Sequence, residues 1–556
     1  MSPASASTPP LAEEPGVVYT KPWVVDLILD LAGYTAEVDL GAKVAVEPAA
    51  GDGSFLLPMV ERLLASCRQH NRSPVDCPDA LISYELDPHS TDHARSAVCR
   101  VLGRHEIAQQ DACRLAEAWV RTGDYLLDAA NLPAADFVIG NPPYIRLEDM
   151  DEATAGHYRR RYRTMVGRAD LYVAFFEAAL TQLKPDGVCA YICADRWMLN
   201  QYGAELRRLV TAAYDVETVI ELHRADAFEF AVSAYPAITV IRRKPQGQAV
   251  VARAGVGIET VGSLPIRRVL EEARRSTTTV NGVQGLKAAR VDTWFAGAEP
   301  WPCYSPERLT LLKRLEAEFY PLQSVGTGTK VGIGVATGAD DVFITTDPAL
   351  VESSRLLPLA MAHDTANGRF AWSGRYLVNP WHERGLVDLS SYPKLRAHLS
   401  SHEERLRARH VGKRNPNGWY RTIDRVDHLL TGKTKLYVAD IKDRLNPVLD
   451  RGEAYPHHNL YVVQSVGWDH EVLGGLLLSD VAQFFVECYG VRMRGGYLRF
   501  QAQYLRRIRV PRPRDLSGRQ AEALRQAFRR RDREHATHTA LAVYAIDRLP
   551  REEWPG

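Results

Sequence analysis

Asn141, Pro142, Pro143 and Tyr144 end an apolar run, and these residue types together could activate an amino group. An amine bonded to an aromatic ring or a carbonyl is a poor nucleophile because its lone pair is delocalised. The side-chain oxygen of Asn141 and the backbone oxygen of Pro142 can accept hydrogen bonds from such an amine, on a loop that two prolines keep rigid. The ring of Tyr144 offers a surface on which a planar group can stack.

A glycine-containing motif follows an earlier apolar run and precedes a helical pattern, at residues 47–55. Gly51 and Gly53 permit the sharp turn and the close backbone approach that a ligand needs between strand and helix, and Ser54 is expected to cap the helix. The dinucleotide fingerprint has a third glycine that is missing here, and Glu47 would repel a pyrophosphate. A ligand with sulfonium and ammonium groups would be attracted, which predicts S-adenosylmethionine.

Two further acids are expected at strand ends in this region. Glu85, followed by Leu86, lies near the end of the run 80–87, where a carboxylate can accept hydrogen bonds from ribose hydroxyls. Asp111, followed by Ala112, is expected to come after the third strand and to accept a hydrogen bond from an adenine amino group. Glu85 could instead be a solvated carboxylate, and Asp111 a helix cap.

The elements that must position these residues alternate along the first part of the chain. Apolar, β-branched runs predict strands at 43–48, 80–87, 136–141, 187–194, 216–222 and 234–241. The intervening segments carry helical spacing of apolar residues. This alternation predicts an α/β fold with a mostly parallel sheet covered by helices.

The order of these blocks resembles the TaqI-like (gamma-class) amino-methyltransferases of DNA that belong to restriction-modification systems. The similar blocks are GVVYTKPWVVDLIL (16–29), VAVEPAAGDGSFL (44–56), ISYELD (82–87), QQDACRL (109–115), DFVIGNPPYI (136–145) and the segments 170–199 and 227–241. The resemblance implies a Rossmann-like class I methyltransferase domain with a mostly parallel, seven-stranded sheet. It also implies S-adenosylmethionine as cofactor and, as substrate, the N6 amino group of an adenine flipped out of double-stranded DNA.

The resemblance also assigns residues to the site. Catalysis is expected from Asn141, Pro142, Pro143, Tyr144 and a phenylalanine against the second edge of the base. The cofactor-binding residues implied are Thr20, Glu47, Ala49, Gly51, Gly53, Glu85, Leu86, Asp111, Ala112 and Asn141. The spacing permits Phe228 or Phe230 as the phenylalanine; Phe228 is preferred, although either ring could belong to the core.

The acceptor is less closely defined than the catalytic loop. Adenine N6 enzymes of the family begin the tetrapeptide with Asn, but nothing in the local chemistry forbids cytosine N4. Methyltransferases that act on protein glutamine side chains or on RNA share the tetrapeptide, and they generally lack a C-terminal region of this length.

The C-terminal half is expected to recognise the DNA sequence. We place the methyltransferase domain at 16–245, a connecting segment at 246–300 and a mixed α+β target-recognition domain at 301–556, where 331–344 and 504–513 resemble blocks of the TaqI-like specificity domain. Residues 404–444 hold eleven Lys or Arg against five Asp or Glu, and 504–533 hold eleven arginines against three acids. Such segments suit a phosphate backbone, although solvated helices also carry them. The predicted DNA-contacting residues are Lys413, Arg414, Trp419, Tyr420 and Arg421.

Composition excludes several classes of protein. A hydrophobic content of 46%, a charged content of 25% and a net charge of +1 over 556 residues are those of a globular protein. Without a long apolar run we expect no membrane span, and residues 1–15 read as a disordered leader. The eight cysteines are scattered, and His457 and His458 show no third ligand, so no metal site is expected. We expect a cytoplasmic monomer, together with a separately encoded restriction endonuclease.

Overall fold

The computed structural model describes residues 18–230, 235–283, 285–292, 295–302, 306–490 and 497–550. The predicted leader, Cys303 and residues 231–234 of the phenylalanine block lie outside the described residues. The chain divides into two compact units, the first ending at Pro306 and the second beginning at Glu307.

The first unit alternates strands and helices. Its described strands are β1 Ala45–Glu47, β2 Leu81–Glu85, β3 Val120–Thr122, β4 Ala135–Gly140, β5 Leu183–Ala194, β6 Asp215–Glu221, β7 Pro236–Arg242, β8 Gln248–Ala254, β9 Val280–Val283 and β10 Leu286–Asp292. Its described helices are α1 Pro22–Ala32, α2 Leu56–Gln69, α3 Pro88–Arg104, α4 Gln109–Trp119, α5 Tyr125–Asp128, α6 Glu152–Arg161, α7 Tyr172–Gln182, α8 Arg196–Leu199, α9 Ala204–Ala213 and α10 Ser263–Arg275.

The strands form one mixed sheet in the order β3-β2-β1-β4-β5-β7-β6-β8-β10-β9. The pairs β3–β2, β2–β1, β1–β4 and β4–β5 are parallel, whereas β7 is antiparallel to both β5 and β6. All three residues of β1 and five of the six in β4 are buried, because helices cover both faces of the parallel part. The six predicted strands are confirmed, β5 starting four residues earlier than expected at Leu183.

The sheet is larger than the predicted seven strands and, over the described residues, has ten. Residues 248–292, expected to be a connecting segment, supply three of these strands and helix α10. β8 pairs in parallel with β6 from Thr218↔Val250 to Glu221↔Arg253, and β10 is antiparallel to β8. This pairing provides hydrogen-bond partners for backbone N–H and C=O groups of β6 that would be unpaired if β6 were an edge strand.

The third strand lies elsewhere than expected. β3 comes after α4 rather than before it, and it contains only Val120, Arg121 and Thr122. A three-residue strand carries almost no periodic signal, whereas the helical pattern of α4 is clear.

The second unit combines short strands with helices. Its described strands are β11 Tyr320–Pro321, β12 Lys330–Ile333, β13 Ile344–Thr345, β14 Leu356–Ala360, β15 Tyr376–Val378, β16 Trp381–His382, β17 Gly385–Leu386, β18 Lys435–Ala439, β19 Ile441–Lys442, β20 Val448–Asp450, β21 Tyr455–Pro456, β22 Leu460–Gln464, β23 Leu498–Arg499 and β24 Arg509–Val510. The described helices from Pro306 onward are α11 Pro306–Glu318, α12 Asp340–Phe343, α13 Pro393–Ser400, α14 Glu403–Ala408, α15 His410–Arg414, α16 His470–Leu478, α17 Asp480–Tyr489, α18 Ala502–Leu505, α19 Gly518–Arg530 and α20 Arg533–Val543.

Two four-stranded sheets organise this unit, in the orders β12-β22-β18-β20 and β13-β15-β14-β21. A core that includes Phe343, Leu377 and Trp381 packs in this unit. Among the described helices none is by itself long and apolar enough to cross a membrane; α16 and α17 pass that test only as a pair, with a bend of 64° between them.

Candidate active site

Three loops of the first unit begin where parallel strands end. The loop after β1 follows Glu47, the loop after β2 follows Glu85, and Asn141 follows β4. The registers Glu47↔Ser83 and Val46↔Val138 bring these strand ends to the same edge of the sheet. The carboxyl edge of a parallel sheet is where α/β folds bind ligands.

The glycine loop after β1 is tied to the end of β2. Gly51 and Gly53 have φ of 54° and 87°, values in the left-handed region that favours glycine. The Gly51 N–H donates to Glu85 Oε2 at 2.8 Å, and the Asp87 N–H donates to Glu85 Oε1 at 3.0 Å. Each carboxylate oxygen has a second acceptor site, so Glu85 can hold this loop and still accept from a ligand. Ser54 does not cap α2: its N–H donates to Asp52 Oδ1 at 2.9 Å, and the cap position is Phe55.

Glu47 is a fully buried carboxyl group with one oxygen unused. The Ser83 hydroxyl donates to Glu47 Oε2 at 2.8 Å, while Oε1 is buried with no hydrogen-bond partner among the described residues. Burial is the main cause that raises the pKa of Glu47 to about 8; the nearby carboxylates Asp52 and Glu85 act in the same direction, and the hydrogen bond from Ser83 opposes them. A cationic donor at Oε1 would satisfy the oxygen and favour the ionised form.

Two other predicted cofactor residues differ in exposure. Leu86, next to Glu85, is 69% exposed, which places an open apolar side chain at the ligand edge of the sheet. Ala112 is fully buried in α4. Its side chain therefore offers no surface to a ligand, and the assignment of Ala112 to the cofactor stays a prediction.

Asp111 is also displaced from the ligand edge. It lies in the first turn of α4, 3.5 Å from Arg114, and α4 leads into the amino end of β3. Ligand loops of a parallel sheet follow the carboxyl ends of strands, so Asp111 does not occupy the position that the sequence analysis assigns to it.

Asp124 occupies that position instead. β3 ends at Thr122, whose partner in the register is Glu85, and the Gly123 N–H donates to the Glu85 carbonyl at 2.9 Å. The carboxylate of Asp124 accepts from the Leu126 N–H at 2.9 Å and from the Tyr158 hydroxyl at 2.7 Å. The available signal was the Gly-Asp pair itself, at the end of a strand too short to recognise.

Asn141 is oriented by two contacts with the N-terminal segment. Its side-chain N–H₂ donates to the Val18 carbonyl at 2.9 Å and to Thr20 Oγ1 at 3.2 Å. A carbonyl oxygen only accepts, so the nitrogen of the amide must face Val18. The oxygen, Oδ1, is buried with no hydrogen-bond partner among the described residues. The site therefore presents a fixed, unused acceptor directly after β4, beside the buried Pro142 and partly buried Pro143.

The two predicted base-contacting rings lie together. Tyr144 and Phe228 have ring centroids 6.3 Å apart and planes at 83°. A backbone bridge between Thr20 and Phe228 places Phe228 beside Asn141, whereas Phe230 is 67% exposed and contacts Tyr19. Perpendicular rings allow a planar base to stack on one ring while the other ring meets its edge.

The predicted DNA-contacting residues of the second unit separate into two groups. Lys413 and Arg414 are exposed on α15. Trp419 is only 8% exposed and belongs to the core of this unit, and the Tyr420 hydroxyl donates to the Val387 carbonyl at 2.8 Å. The guanidinium of Arg421 lies 5.2 Å from the ring of Trp381. Core packing thus removes Trp419 from a DNA surface, whereas the assignment of the partly buried Tyr420 stays a prediction.

The arginines of 504–533 are partly neutralised within the unit. Arg525 pairs with Asp469 at 2.9 Å, and Arg529 Nε donates to Glu471 Oε2 at 2.9 Å. Arg531 donates to the Pro447 carbonyl at 2.8 Å. Several arginines of this segment therefore connect helices and loops within the unit and are less available to bind phosphate groups.

We expect Trp419→Ala to lower the free energy of unfolding of the second unit by about 3–5 kcal/mol, because it empties a large core site. Lys413→Ala, at an exposed position, is expected to change it by less than about 0.5 kcal/mol. Urea denaturation of both variants measures the difference. Equal stability of the two variants would contradict the core assignment.

Comparisons with known proteins extend over nearly the whole chain. Residues 126–228 match the family model described as Eco57I restriction-modification methylase. The chain is 40% identical over 554 residues to the type II methyltransferase M.XhoI of Xanthomonas vasicola, covering 98% of this chain and 99% of that protein. It is 41% identical over 565 residues to the type II methyltransferase M.PaeR7I of Pseudomonas aeruginosa, covering 100% and 96%.

Solved structures show the likeness of the fold. The type IIL restriction-modification enzyme MmeI, determined in complex with DNA, aligns with a TM-score of 0.60 and 11% identity over 96% of this chain and 75% of that chain. The ATP-dependent type ISP restriction-modification enzyme LlaBIII, bound to DNA, aligns with a TM-score of 0.52 and 10% identity over 93% of this chain and 39% of that chain.

Proposed function

The chain belongs to the type II methyltransferases of restriction-modification systems, and from this premise we propose that it methylates adenine N6 in double-stranded DNA, with S-adenosylmethionine as methyl donor. Modification of one short recurring sequence would protect the host DNA from a separately encoded restriction endonuclease. The TaqI-like arrangement of a catalytic domain followed by a target-recognition domain is part of this proposal.

The orientation of Asn141 is the observation that carries the proposal. Its N–H₂ group is held by Val18 and Thr20, and its buried oxygen has no partner among the described residues. An exocyclic amine is a donor that suits this oxygen. An acceptor that needs no reorganisation stabilises charge developing on the amine during reaction.

The residues at the carboxyl edge suit S-adenosylmethionine, which supplies an electrophilic methyl group bound to sulfur when it is present. The buried oxygen of Glu47 that has no partner among the described residues supports this fit, because a cationic hydrogen-bond donor of the ligand would satisfy it. Glu85 would accept from ribose hydroxyls while it holds the glycine loop through Gly51. Exposed Leu86 would cover one face of a flat ring, and Asp124 would accept from an amino group on that ring.

In the proposed reaction the protein acts by orientation rather than by forming a covalent bond to the substrate. The side-chain oxygen of Asn141 and the backbone oxygen of Pro142 accept hydrogen bonds from the two N–H groups of the adenine amine. These bonds direct the lone pair of the amine towards the methyl group. Tyr144 holds the flipped base by stacking, and Phe228 lies against its second edge. Burial raises the pKa of Tyr144 well above its ordinary value, so its hydroxyl stays neutral.

The second unit would bind the duplex around the target base. We assign phosphate contacts to exposed Lys413 and Arg414, with Arg421 as a third cation on the same segment. Binding through such contacts would weaken as salt concentration rises.

Asp124, rather than Asp111, is expected to affect cofactor affinity. Asp124→Ala should weaken S-adenosylmethionine binding about tenfold, the effect of one lost hydrogen bond of roughly 1.4 kcal/mol. Asp111→Ala should change it by less than about twofold, because its carboxylate lies beside Arg114 at the start of α4. Isothermal titration of both variants measures the two affinities.

Tyr158→Phe serves as a control for Asp124, since it removes only the hydroxyl that Asp124 accepts from. It should leave cofactor affinity near that of the wild type. A larger loss with Asp111→Ala than with Asp124→Ala would reverse the assignment.

The proposed reaction is tested by incubating the protein with unmethylated genomic DNA and methyl-labelled S-adenosylmethionine. Digestion to nucleosides followed by mass spectrometry distinguishes N6-methyladenine from N4-methylcytosine, and single-molecule sequencing locates the modified bases. N6-methyladenine at one recurring sequence is the expected result. Label on cytosine would retain the chemistry but change the acceptor, and label only on protein or RNA would reject DNA as the substrate.

A further inference from the structure

Asp340, His457 and His458 come together in the second unit although they are far apart in the sequence. One ligand atom from each lies within 4.8 Å of the others. Asp340 is the first residue of α12, and the histidines lie in the turn between β21 and β22. The turn is fixed by backbone hydrogen bonds from His457 N to Ala360 O at 2.9 Å and from His458 N to Val335 O at 3.0 Å.

His457 is the unusual member of this cluster. Only 2% of the residue is exposed, yet neither ring nitrogen makes a hydrogen bond with the described residues. Its Nε2 lies 3.3 Å from Asp340 Oδ2, and Asn459 Oδ1 is a second buried polar atom without a hydrogen-bond partner among them. Burying an imidazole in this way is costly unless something else satisfies its nitrogens.

The neighbouring residues orient the carboxylate towards the histidines. The Thr337 hydroxyl donates to Asp340 Oδ1, so the other oxygen, Oδ2, is the one that approaches His457. Such supporting hydrogen bonds typically position metal ligands.

We propose that Asp340, His457 and His458 bind a divalent transition-metal ion of the zinc type. Two imidazoles and one carboxylate are ligands that Zn²⁺ accepts, whereas Mg²⁺ and Ca²⁺ prefer oxygen ligands throughout. The ion would join the start of α12 to the β21–β22 turn and so stabilise this part of the second unit. It has no part in the methyl-transfer chemistry proposed for the first unit, so the two proposals stand or fall separately.

The test uses the full chain without a histidine tag, stripped with a chelator and returned to metal-free buffer. Titration with ZnCl₂ by calorimetry should give about one equivalent per chain, and CoCl₂ should give a visible d–d spectrum with histidine ligation. Thermal denaturation should shift upward as zinc concentration rises, because the ion binds the folded form. MgCl₂ should produce neither effect.

His458→Gln and Asp340→Asn probe the site at exposed positions, where the fold tolerates substitution. Each should weaken zinc binding at least tenfold and remove most of the thermal shift. His538→Gln, an exposed histidine on α20, is the matched control and should bind zinc like the wild type. Absence of zinc binding in the wild type, or equal binding in the wild type and His458→Gln, would overturn the proposal.

Discussion

Asn141→Ala is expected to reduce kcat for methyl transfer by roughly 10²–10³-fold, the usual effect of removing one preorganised group that stabilises developing charge. The buried oxygen of Asn141 has no partner among the described residues, so its loss removes an interaction reserved for the substrate. Because the interaction forms on the way to the transition state, kcat and kcat/KM should fall together. Steady-state kinetics with labelled cofactor measure both.

The same variant should bind S-adenosylmethionine within a few-fold of the wild type, which calorimetry can verify. Asn131→Ala makes the same substitution at an exposed position before β4 and should retain full turnover. Thr20→Val removes one of the two acceptors that orient the Asn141 amide, and we expect a smaller loss than with Asn141→Ala. Near-normal turnover by Asn141→Ala would refute the proposed role.

Glu47→Gln is expected to weaken S-adenosylmethionine binding roughly 10- to 100-fold, the value of a hydrogen bond to a charged group at about 1.5–3 kcal/mol. The substitution keeps the shape of the side chain and removes the charge that would meet the cation. Calorimetric titration at pH 8 measures the effect. Glu152→Gln, at an exposed position in α6, should leave the affinity unchanged.

The pH dependence of binding identifies the group responsible. Burial raises the pKa of Glu47 to about 8, so at lower pH the carboxyl group holds its proton and cannot pair with a cation. The affinity of the wild type should therefore fall as pH decreases from about 8, by at most about tenfold per pH unit. Glu47→Gln should lack this dependence; an identical pH profile in both proteins would exclude Glu47 as its source.

The stability of the unliganded protein should depend on pH in the opposite direction from the cofactor affinity. A carboxyl group whose pKa rises from 4.5 to about 8 on folding stabilises the fold fully below the lower value and loses that contribution as pH rises towards the higher one. The wild type should thus lose stability relative to Glu47→Gln between pH 4.5 and 8. Urea denaturation of both proteins across that interval measures this change.

Short-range patterns in the sequence predict much of the first unit. Apolar runs identify β1 and β4 because central strands are buried on both faces, and the residues that follow them lie on loops at one edge by the direction of the parallel strands. Glu47, Gly51, Gly53 and Asn141 were found in this way. Their identity and order are local properties of the chain.

Other features depend on contacts between residues that are distant in sequence. Asp124 rather than Asp111 follows the carboxyl end of β3, because the three-residue strand joins the sheet after α4. The burial of Trp419 depends on which side chains cover it. The addition of residues 248–292 to the sheet depends on the free edge of β6. Local periodicity contains none of this information.

By itself the sequence determined the alternating α/β order, the glycine loop and the rigid Asn-Pro-Pro-Tyr loop, because propensity, spacing and proline stiffness act between near neighbours. The tertiary structure alone decided which way the Asn141 amide points, since its direction is set by Val18 and Thr20. It also decided that Asp340 meets His457 and His458. A hydrogen bond or a ligand cluster requires atoms within a few ångströms, and only the folded chain brings distant residues that close.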